Sequence, residues 1–134
     1  MSPCVLDASA ILAYLLGEQG EEIVAELLSN PGVICYAHSV NLCEVYYDII
    51  RAKGINIAGE AITSLILDGV IERNDLSRDF WEKVGVLKSR GKISLADCFG
   101  IALSQELSCE FVTSDHHELD SFVQLGLVNA RFIR

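Results

Sequence analysis

Residues 3–17 are PCVLDASAILAYLLG, and they predict a buried strand followed directly by a helix. The strand covers Pro3 to Leu6, because this short apolar run stops at Asp7. The helix covers Ala10 to Leu16 and ends at Gly17, a residue type that favours helix C-termini. A buried strand that passes straight into a helix is the first part of a β-α unit, from which parallel sheets are built.

The rest of the chain continues this alternation of short apolar runs and helical patterns. Alternation of this kind predicts a three-layer α/β/α fold with a central parallel sheet of about five strands. Ser39 is the predicted N-cap of its helix. The further predicted strands are residues 33–36, 70–72, 110–113 and 130–133, and the further predicted helices are 20–30, 39–53, 58–67, 77–89 and 94–107.

Length and composition predict one compact domain over residues 1–134, with 51% hydrophobic residues to fill its core. The longest apolar run, Ala10 to Leu16, is shorter than the ~20 residues that a membrane span needs, and no signal-peptide pattern precedes it. The five cysteines contain no Cys-x-x-Cys pair and mostly lie in apolar runs. We therefore expect a soluble protein with reduced thiols in the cytoplasm.

The net charge of −9 argues against non-specific nucleic-acid binding through the overall field of the protein. Basic residues nevertheless cluster locally, next to two motifs described below. They are candidates for contacts to RNA phosphates, although they could equally balance the C-terminal ends of helices. These residues are Arg51, Lys53, Lys88, Arg90 and Lys92.

Four acidic residues occur at the boundaries of predicted elements. Asp7 and Asp115 each come directly after a predicted strand, and Glu44 and Asp97 lie near the N-terminal parts of predicted helices. Because the carboxyl ends of parallel strands meet at one edge of a sheet, we expect the four side chains to converge there. Converging carboxylates repel one another unless a cation lies between them, and Mg²⁺ and Mn²⁺ prefer such oxygen ligands.

Each acid also has a purely structural explanation when it is considered alone. Asp7 and Asp115 could be helix N-caps, and the pattern from Asp115 to Glu118 resembles a capping box. Asp97 could complete another box that begins at Ser94. Glu44 continues a polar stripe of its helix and could simply face water.

Four motifs together resemble those of PIN-domain ribonucleases, and most closely those of the VapC-type toxins. They cover essentially the whole chain, in the order and at the spacing that the family shows. Each motif is weak by itself, and the combination is specific. The motifs are Leu6-Asp7-Ala8-Ser9, Ser39 followed by Asn41 and Glu44, Ser94-Leu95-Ala96-Asp97, and Thr113-Ser114-Asp115.

The resemblance implies a pocket in which these acids hold one or two Mg²⁺ or Mn²⁺ ions. Asp7 and Asp97 would bind metal directly, whereas Glu44 and Asp115 would bind a second ion or act through water. Residues that would orient the carboxylates or a phosphate are Ser9, Asn41, Thr113 and Ser114. In place of the aromatic residue that often follows the last aspartate in the family, this chain has His116 and His117. They could be metal ligands or proton carriers, but adjacent histidines in the first turn of a helix favour an ordinary surface role, and a functional role for His38 is equally disfavoured.

The implied activity is metal-dependent endoribonucleolytic hydrolysis that leaves a 5′-phosphate and a 3′-hydroxyl. The implied partners are RNA and a cognate antitoxin that inserts a basic side chain among the carboxylates. Residues 10–28 and 39–50 could supply an apolar surface for the antitoxin or a homodimer, or could only fill the core.

Two other functions remain open at this stage: a catalytically idle PIN-like binding module and a non-toxin RNA-processing nuclease. A haloacid-dehalogenase phosphatase is disfavoured because Ser9 stands where it would need a second aspartate. A receiver domain is disfavoured because the paired acids it needs are absent.

Overall fold

The computed structural model describes residues 1–134 and contains a five-stranded sheet and seven helices. All strand pairs are parallel. The predicted three-layer α/β/α fold is therefore confirmed. The elements in chain order are β1 Ser2–Leu6, α1 Ala8–Leu16, α2 Glu21–Ser29, β2 Val33–His38, α3 Ser39–Lys53, α4 Ile55–Leu67, β3 Ile71–Arg73, α5 Arg78–Ser89, α6 Leu95–Glu106, β4 Glu110–Thr113, α7 His116–Gln124 and β5 Ala130–Phe132.

The strand order is β3-β2-β1-β4-β5, so the chain reverses its direction across the sheet after β3. Leu6 of β1 pairs with Val112 of β4, which places the ends of these two strands side by side. The topological switch point lies between β1 and β4, because β2 pairs with one edge of β1 and β4 pairs with the other edge. Ligands of open α/β sheets bind at such a point, outside the carboxyl ends of the strands.

Two apolar cores cover the two faces of the sheet. Alternate residues of β1 enter different cores: Cys4 and Leu6 pack with α1 to α4, and Val5 packs with α5 to α7. Parallel strand crossovers are right-handed, so a reversal of direction across the sheet transfers the following helices to its other face. None of the seven helices combines the length and the apolar character required to cross a membrane.

Several predicted element boundaries need correction. Helix α1 begins at Ala8 and α4 at Ile55, two and three residues before the predicted starts at Ala10 and Ala58. Helix α4 starts early because Gly54, with φ of 92°, makes the turn out of α3 in a single residue.

The predicted N-cap of α3 is wrong as well. The His38 side chain caps the helix by accepting a hydrogen bond from the Val40 amide (3.1 Å). The Ser39 hydroxyl instead donates to Glu72 across the neighbouring strand (2.6 Å). A serine at the start of an apolar helix fits the N-cap pattern, but β2 continues to His38, which shifts the cap by one residue.

Candidate active site

Asp7 links the end of β1 to the start of α1. Its Oδ1 accepts hydrogen bonds from the Ala10 amide (2.9 Å) and the Ser9 hydroxyl (2.7 Å), while its Oδ2 accepts one from the Thr113 hydroxyl (2.5 Å). The residue is only 1% exposed. Burial raises the pKa of Asp7 to about 6, against the lowering effect of these three hydrogen bonds, and the charge of Asp115 adds to the rise.

The turn after β4 is joined to the turn after β1 by hydroxyl groups. The Thr113 hydroxyl, besides donating to Asp7, accepts a hydrogen bond from the Asp115 amide (3.0 Å). The Ser9 hydroxyl accepts one from the Ser114 amide (2.9 Å). Each hydroxyl thus donates to a carboxylate and accepts from an amide, so both groups hold Asp7 against the neighbouring strand end.

Asp97 lies in the first turn of α6, where the Ser94 hydroxyl caps the helix by accepting from the Asp97 amide (3.1 Å). The Asn41 side chain donates to the Ala96 carbonyl (3.1 Å) and thereby joins α3 to the start of α6. Asp97 is 6% exposed. Burial raises the pKa of its carboxyl far above the usual range, and a hydrogen bond with Glu118 and the charge of Asp7 raise it further.

Glu118 is a site residue that the sequence analysis missed. Asp115 caps α7 by accepting from the Glu118 amide (3.2 Å), as a capping box requires. In such a box the Glu118 carboxylate would accept a hydrogen bond from the Asp115 amide. Here that amide already donates to the Thr113 hydroxyl. The carboxylate turns instead toward Asp97 and the Ser94 amide (3.4 Å). The sequence did contain a signal for this site residue, namely an acidic residue three positions after Asp115.

The acids converge on the edge of the sheet at the switch point. One carboxylate oxygen from each of Asp97, Asp115 and Glu118 lies within 4.8 Å of the other two. Glu44 is half-buried beside them: burial raises the pKa of its carboxyl first, followed by the charges of Asp48 and Asp7. Burial is the largest cause of the raised pKa of Asp7, Glu44 and Asp97, and the charges of neighbouring carboxylates add to each rise.

The donor set of this acid cluster suits a hard divalent cation. It consists of carboxylate oxygens, without a thiolate or an imidazole, and this is the chemistry that Mg²⁺ and Mn²⁺ prefer. Three oxygens already lie close enough to share one ion. Asp7 could also bind a cation, because its Oδ2 accepts a single hydrogen bond and keeps a second lone pair.

Of the five candidate RNA-binding residues, only Lys88 and Lys92 are brought together, at one cavity that also contains Glu118. Arg51 lies on the same face of α3 as Glu44, two turns further on, with its guanidinium 4.9 Å from the centre of the Tyr47 ring. Lys53 is exposed on the opposite face. Lys92 lines a cavity beside Glu118, whereas Arg90 lines a different one. The Lys88 ammonium donates to the Ile93 carbonyl (2.5 Å) and so braces the loop before α6.

His38 and His116 have structural roles. His38 is buried against Phe80 and Phe99, and because its Nδ1 accepts from Val40, its Nε2 carries the proton that it donates to the Asp75 carbonyl (2.9 Å). His116 stacks on the Phe132 ring at 3.8 Å and hydrogen-bonds the Arg134 carbonyl (2.8 Å). Its exposed imidazole therefore holds the end of the chain beside α7 and β5.

The arrangement of acids around the ends of β1 and β4 corresponds to a known family. The model of the PIN domain matches residues 4–122, which is most of the chain. The chain belongs to the PIN-domain family.

Solved PIN-domain toxins share the fold of this chain. The Mycobacterium tuberculosis toxin VapC20 superposes with a TM-score of 0.71 at 16% identity, over 88% of this chain and 94% of that one. VapBC-1 from nontypeable Haemophilus influenzae gives 0.69 at 17% identity, over 98% of both chains. DNA-bound VapBC from Salmonella typhimurium gives 0.75 at 12% identity, over the full length of both. No curated protein sequence matches this PIN domain.

Proposed function

We propose that residues 1–134 form a single PIN domain that acts as a Mg²⁺- or Mn²⁺-dependent endoribonuclease, the toxin of a toxin–antitoxin pair. The observation that carries this proposal is the acid cluster, in which carboxylate oxygens of Asp97, Asp115 and Glu118 lie within 4.8 Å at the switch point of a PIN fold. Asp7 and Glu44 add two further carboxylates beside these three.

Asp97, Asp115 and Glu118 would hold the ion, with Asp7 as a further ligand through Oδ2. A bound divalent ion would lower the pKa of a water and offset negative charge on a phosphodiester. The residues of the chain position this chemistry: Thr113 and Ser9 fix the Asp7 carboxylate. Neither hydroxyl is suited to attack a phosphate itself, since each is committed to a carboxylate and a backbone amide.

RNA is the proposed substrate. Structural support comes from VapC20, which is described as a toxin that cleaves the sarcin–ricin loop, although a likeness at 16% identity extends to the fold alone. In this chain, Lys92 lines the cavity that contains Glu118, and Arg51 lies on the Glu44 face of α3, two turns further along the helix. Such local charge positions a phosphate backbone even on an acidic protein.

An antitoxin is the proposed partner, as in the VapBC complexes that share this fold. Most apolar side chains of α1 and α3 fill the core, so the apolar surface left for a partner lies mainly on α4, where Ile55 and Leu67 are exposed. A groove of about 350 Å³ between α3 and α4 contains Leu42 and Tyr46. We place an apolar antitoxin segment there, with a basic side chain reaching the acid cluster.

The decisive experiment is cleavage of mixed RNAs by purified protein in Mg²⁺, Mn²⁺ or EDTA, with Asp7→Asn and Asp97→Asn as variants. We expect cleavage by wild type in either metal and none in EDTA. Loss of a carboxylate that holds the ion should reduce the rate at least about 100-fold, because the ion contributes several kcal/mol to the transition state.

The control is Asp79→Asn, which removes an exposed carboxylate from the first turn of α5 and should cleave like wild type. Equal cleavage by all variants would indicate a contaminating nuclease and reject the proposal. Metal-independent RNA binding without any cleavage would favour the binding-module alternative.

A further inference from the structure

A second cavity adjoins the acid cluster. It has a volume of about 420 Å³ and shares Glu118 with the cluster. It therefore lies next to the position that a phosphate would take at the metal. Its lining residues are Lys88, Lys92, Ile93, Ser94, His117 and Glu118.

Lys92 and His117 offer free hydrogen-bond donors to this cavity. Neither side chain makes a hydrogen bond or an ion pair within the protein, and both residues are exposed. Most of the other lysine and arginine side chains, all within residues 51–134, make a hydrogen bond or an ion pair inside the protein. Lys83, for example, pairs with Glu106 at 2.6 Å. The Lys88 ammonium donates to the Ile93 carbonyl, so Lys88 forms part of the cavity wall and is less available to a ligand than Lys92.

Glu118 is the one carboxylate in the cavity, and its environment decides what the cavity can bind. One oxygen accepts from the Ser94 amide, and the carboxylate also belongs to the acid cluster. A divalent cation at that cluster would offset part of its negative charge, and the cavity would then keep the ammonium of Lys92 and the imidazole donor of His117 against a weaker opposing charge. A cavity with these donors next to a phosphate-hydrolysing centre suits a second phosphate of the same strand.

We infer that Lys92 and His117 form a subsite for a backbone phosphate that flanks the phosphodiester held at the acid cluster. This inference rests on the proposed ribonuclease function and deepens it, because it requires a polyanionic strand with at least two adjacent phosphates. The subsite recognises the negative charge of the backbone. It aligns the strand for cleavage beside Glu118.

Arg78 provides a control of equal charge. It is exposed in the first turn of α5, where it pairs with Glu82 at 3.5 Å, and it does not line the cavity. Removal of either side chain changes the net charge by the same amount. Only the removal of Lys92 takes a donor away from the subsite.

The test is steady-state cleavage of a single-stranded RNA by wild type, Lys92→Ala, Lys92→Arg, His117→Ala and Arg78→Ala. We expect Lys92→Ala to raise KM about tenfold with little change in kcat, and to reduce the salt slope of log(kcat/KM) by about 0.7, the value for one phosphate contact on a single strand. Lys92→Arg should restore both quantities. His117→Ala should raise KM less, and Arg78→Ala should match wild type.

A second measurement locates the phosphate. After the cleavage site in one RNA has been mapped, each flanking phosphate is replaced in turn by an uncharged methylphosphonate. One replacement next to the cleaved bond should slow wild type but not Lys92→Ala, because that variant has already lost the contact. The same loss in both enzymes at every position would overturn the subsite.

The outcomes separate the two proposals. Metal-dependent cleavage by wild type with equal KM and salt slope for Lys92→Ala and Arg78→Ala would reject the subsite and leave the ribonuclease function intact. Absence of RNA cleavage by wild type would reject both.

Discussion

Asp7 caps a helix and belongs to an acidic site at the same time. Its carboxylate receives three hydrogen bonds, yet burial still raises its pKa to about 6. The ionised form is therefore less stable in the folded, metal-free protein than in the unfolded chain. This difference makes the stability of the metal-free protein depend on pH.

We predict that Asp7→Asn removes this dependence. An unfolded aspartate titrates near pH 4 and folded Asp7 near 6, so the folded state binds the proton more tightly. The resulting stabilisation is fully present below about pH 4 and is lost as the pH rises through about 6. Relative to wild type, the variant should gain about 2 kcal/mol of unfolding free energy between pH 4 and pH 7, measured by urea unfolding in EDTA.

Asp79→Asn is the control, since it removes a carboxylate that is exposed in α5. Its unfolding free energy should follow that of wild type at each pH. A pH profile of Asp7→Asn that runs parallel to wild type would contradict an uncompensated charge at Asp7.

Residue-level sequence reasoning found four of the five acids that meet in the structure. Asp7 and Asp115 were detectable because acids that directly follow parallel strands share one edge of the sheet. Glu118 was missed because its spacing from Asp115 matches a capping box. The Glu118 carboxylate points toward Asp97 instead, because the Asp115 amide donates its hydrogen bond to Thr113. That hydrogen bond leaves no pattern in the spacing of residues along the sequence. Which of the acids bind metal directly stays a prediction.

At the scale of elements, the position of Asp97 depends on how closely α6 approaches the sheet. Gly100 lies one turn after Asp97 and contacts β4 so closely that a Cβ there would be 2.5 Å from the Phe111 ring and 3.0 Å from Asn41 Oδ1. The absence of a side chain at Gly100 lets the start of α6 reach the acid cluster.

We predict that Gly100→Ala moves α6 outward and displaces Asp97. Overpacking should lower the unfolding free energy by about 1–3 kcal/mol. A shift of about 1 Å in a ligand costs on the order of 100-fold in rate, so cleavage activity should fall by about that factor while the protein remains folded. Urea unfolding and RNA cleavage measure the two effects.

Gly85→Ala is the matched variant. Gly85 is exposed in the middle of α5 with open space around its Cα, so alanine there should stabilise by about 0.5–1 kcal/mol and leave cleavage unchanged. Wild-type activity in Gly100→Ala would mean that the contact between α6 and β4 does not set the position of Asp97.

The elements themselves were predictable, and some of their ends were not. Short apolar runs located all five strands. The three central strands are largely buried, because helices cover both faces of a parallel sheet, whereas the edge strands β3 and β5 are partly exposed. The error at Ser39 arose because a serine before an apolar helical stretch is the usual N-cap pattern. The competing partner, Glu72, lies on a strand whose neighbour in the sheet could not be known from local sequence.

For the whole molecule, metal binding should increase stability, since the ion would bind the folded state alone. At a free Mg²⁺ concentration of about 100 times its Kd, the gain is about 2.7 kcal/mol. We therefore expect an increase of about 10 °C in the melting temperature relative to EDTA, followed by circular dichroism. Asp97→Asn should lose most of this increase.

Asp79→Asn serves as the reference here too, and it should keep the full increase. The same Mg²⁺-dependent increase in wild type and Asp97→Asn would place the stabilising ion outside the acid cluster.

The global fold class followed from the alternation of strands and helices, but the strand order did not. β1 pairs with both β2 and β4, although β2 follows it closely and β4 comes more than a hundred residues later. Several buried strands of similar apolar composition offer many possible neighbours. The order emerged from the structure, through the right-handed crossovers and the division of helices between two faces.

The span of the acid cluster along the chain has a consequence for synthesis in the cell. Its carboxylates extend from Asp7, after the first strand, to Glu118 in the last helix. Because the chain emerges from its N-terminus, the residues of α3, α4 and β3 that line the proposed antitoxin groove leave the ribosome before α7. A nascent chain at that stage lacks Asp115 and Glu118, two of the acids that would hold the ion. The sequence that an inhibitor would recognise is thus available before the proposed metal site can be completed.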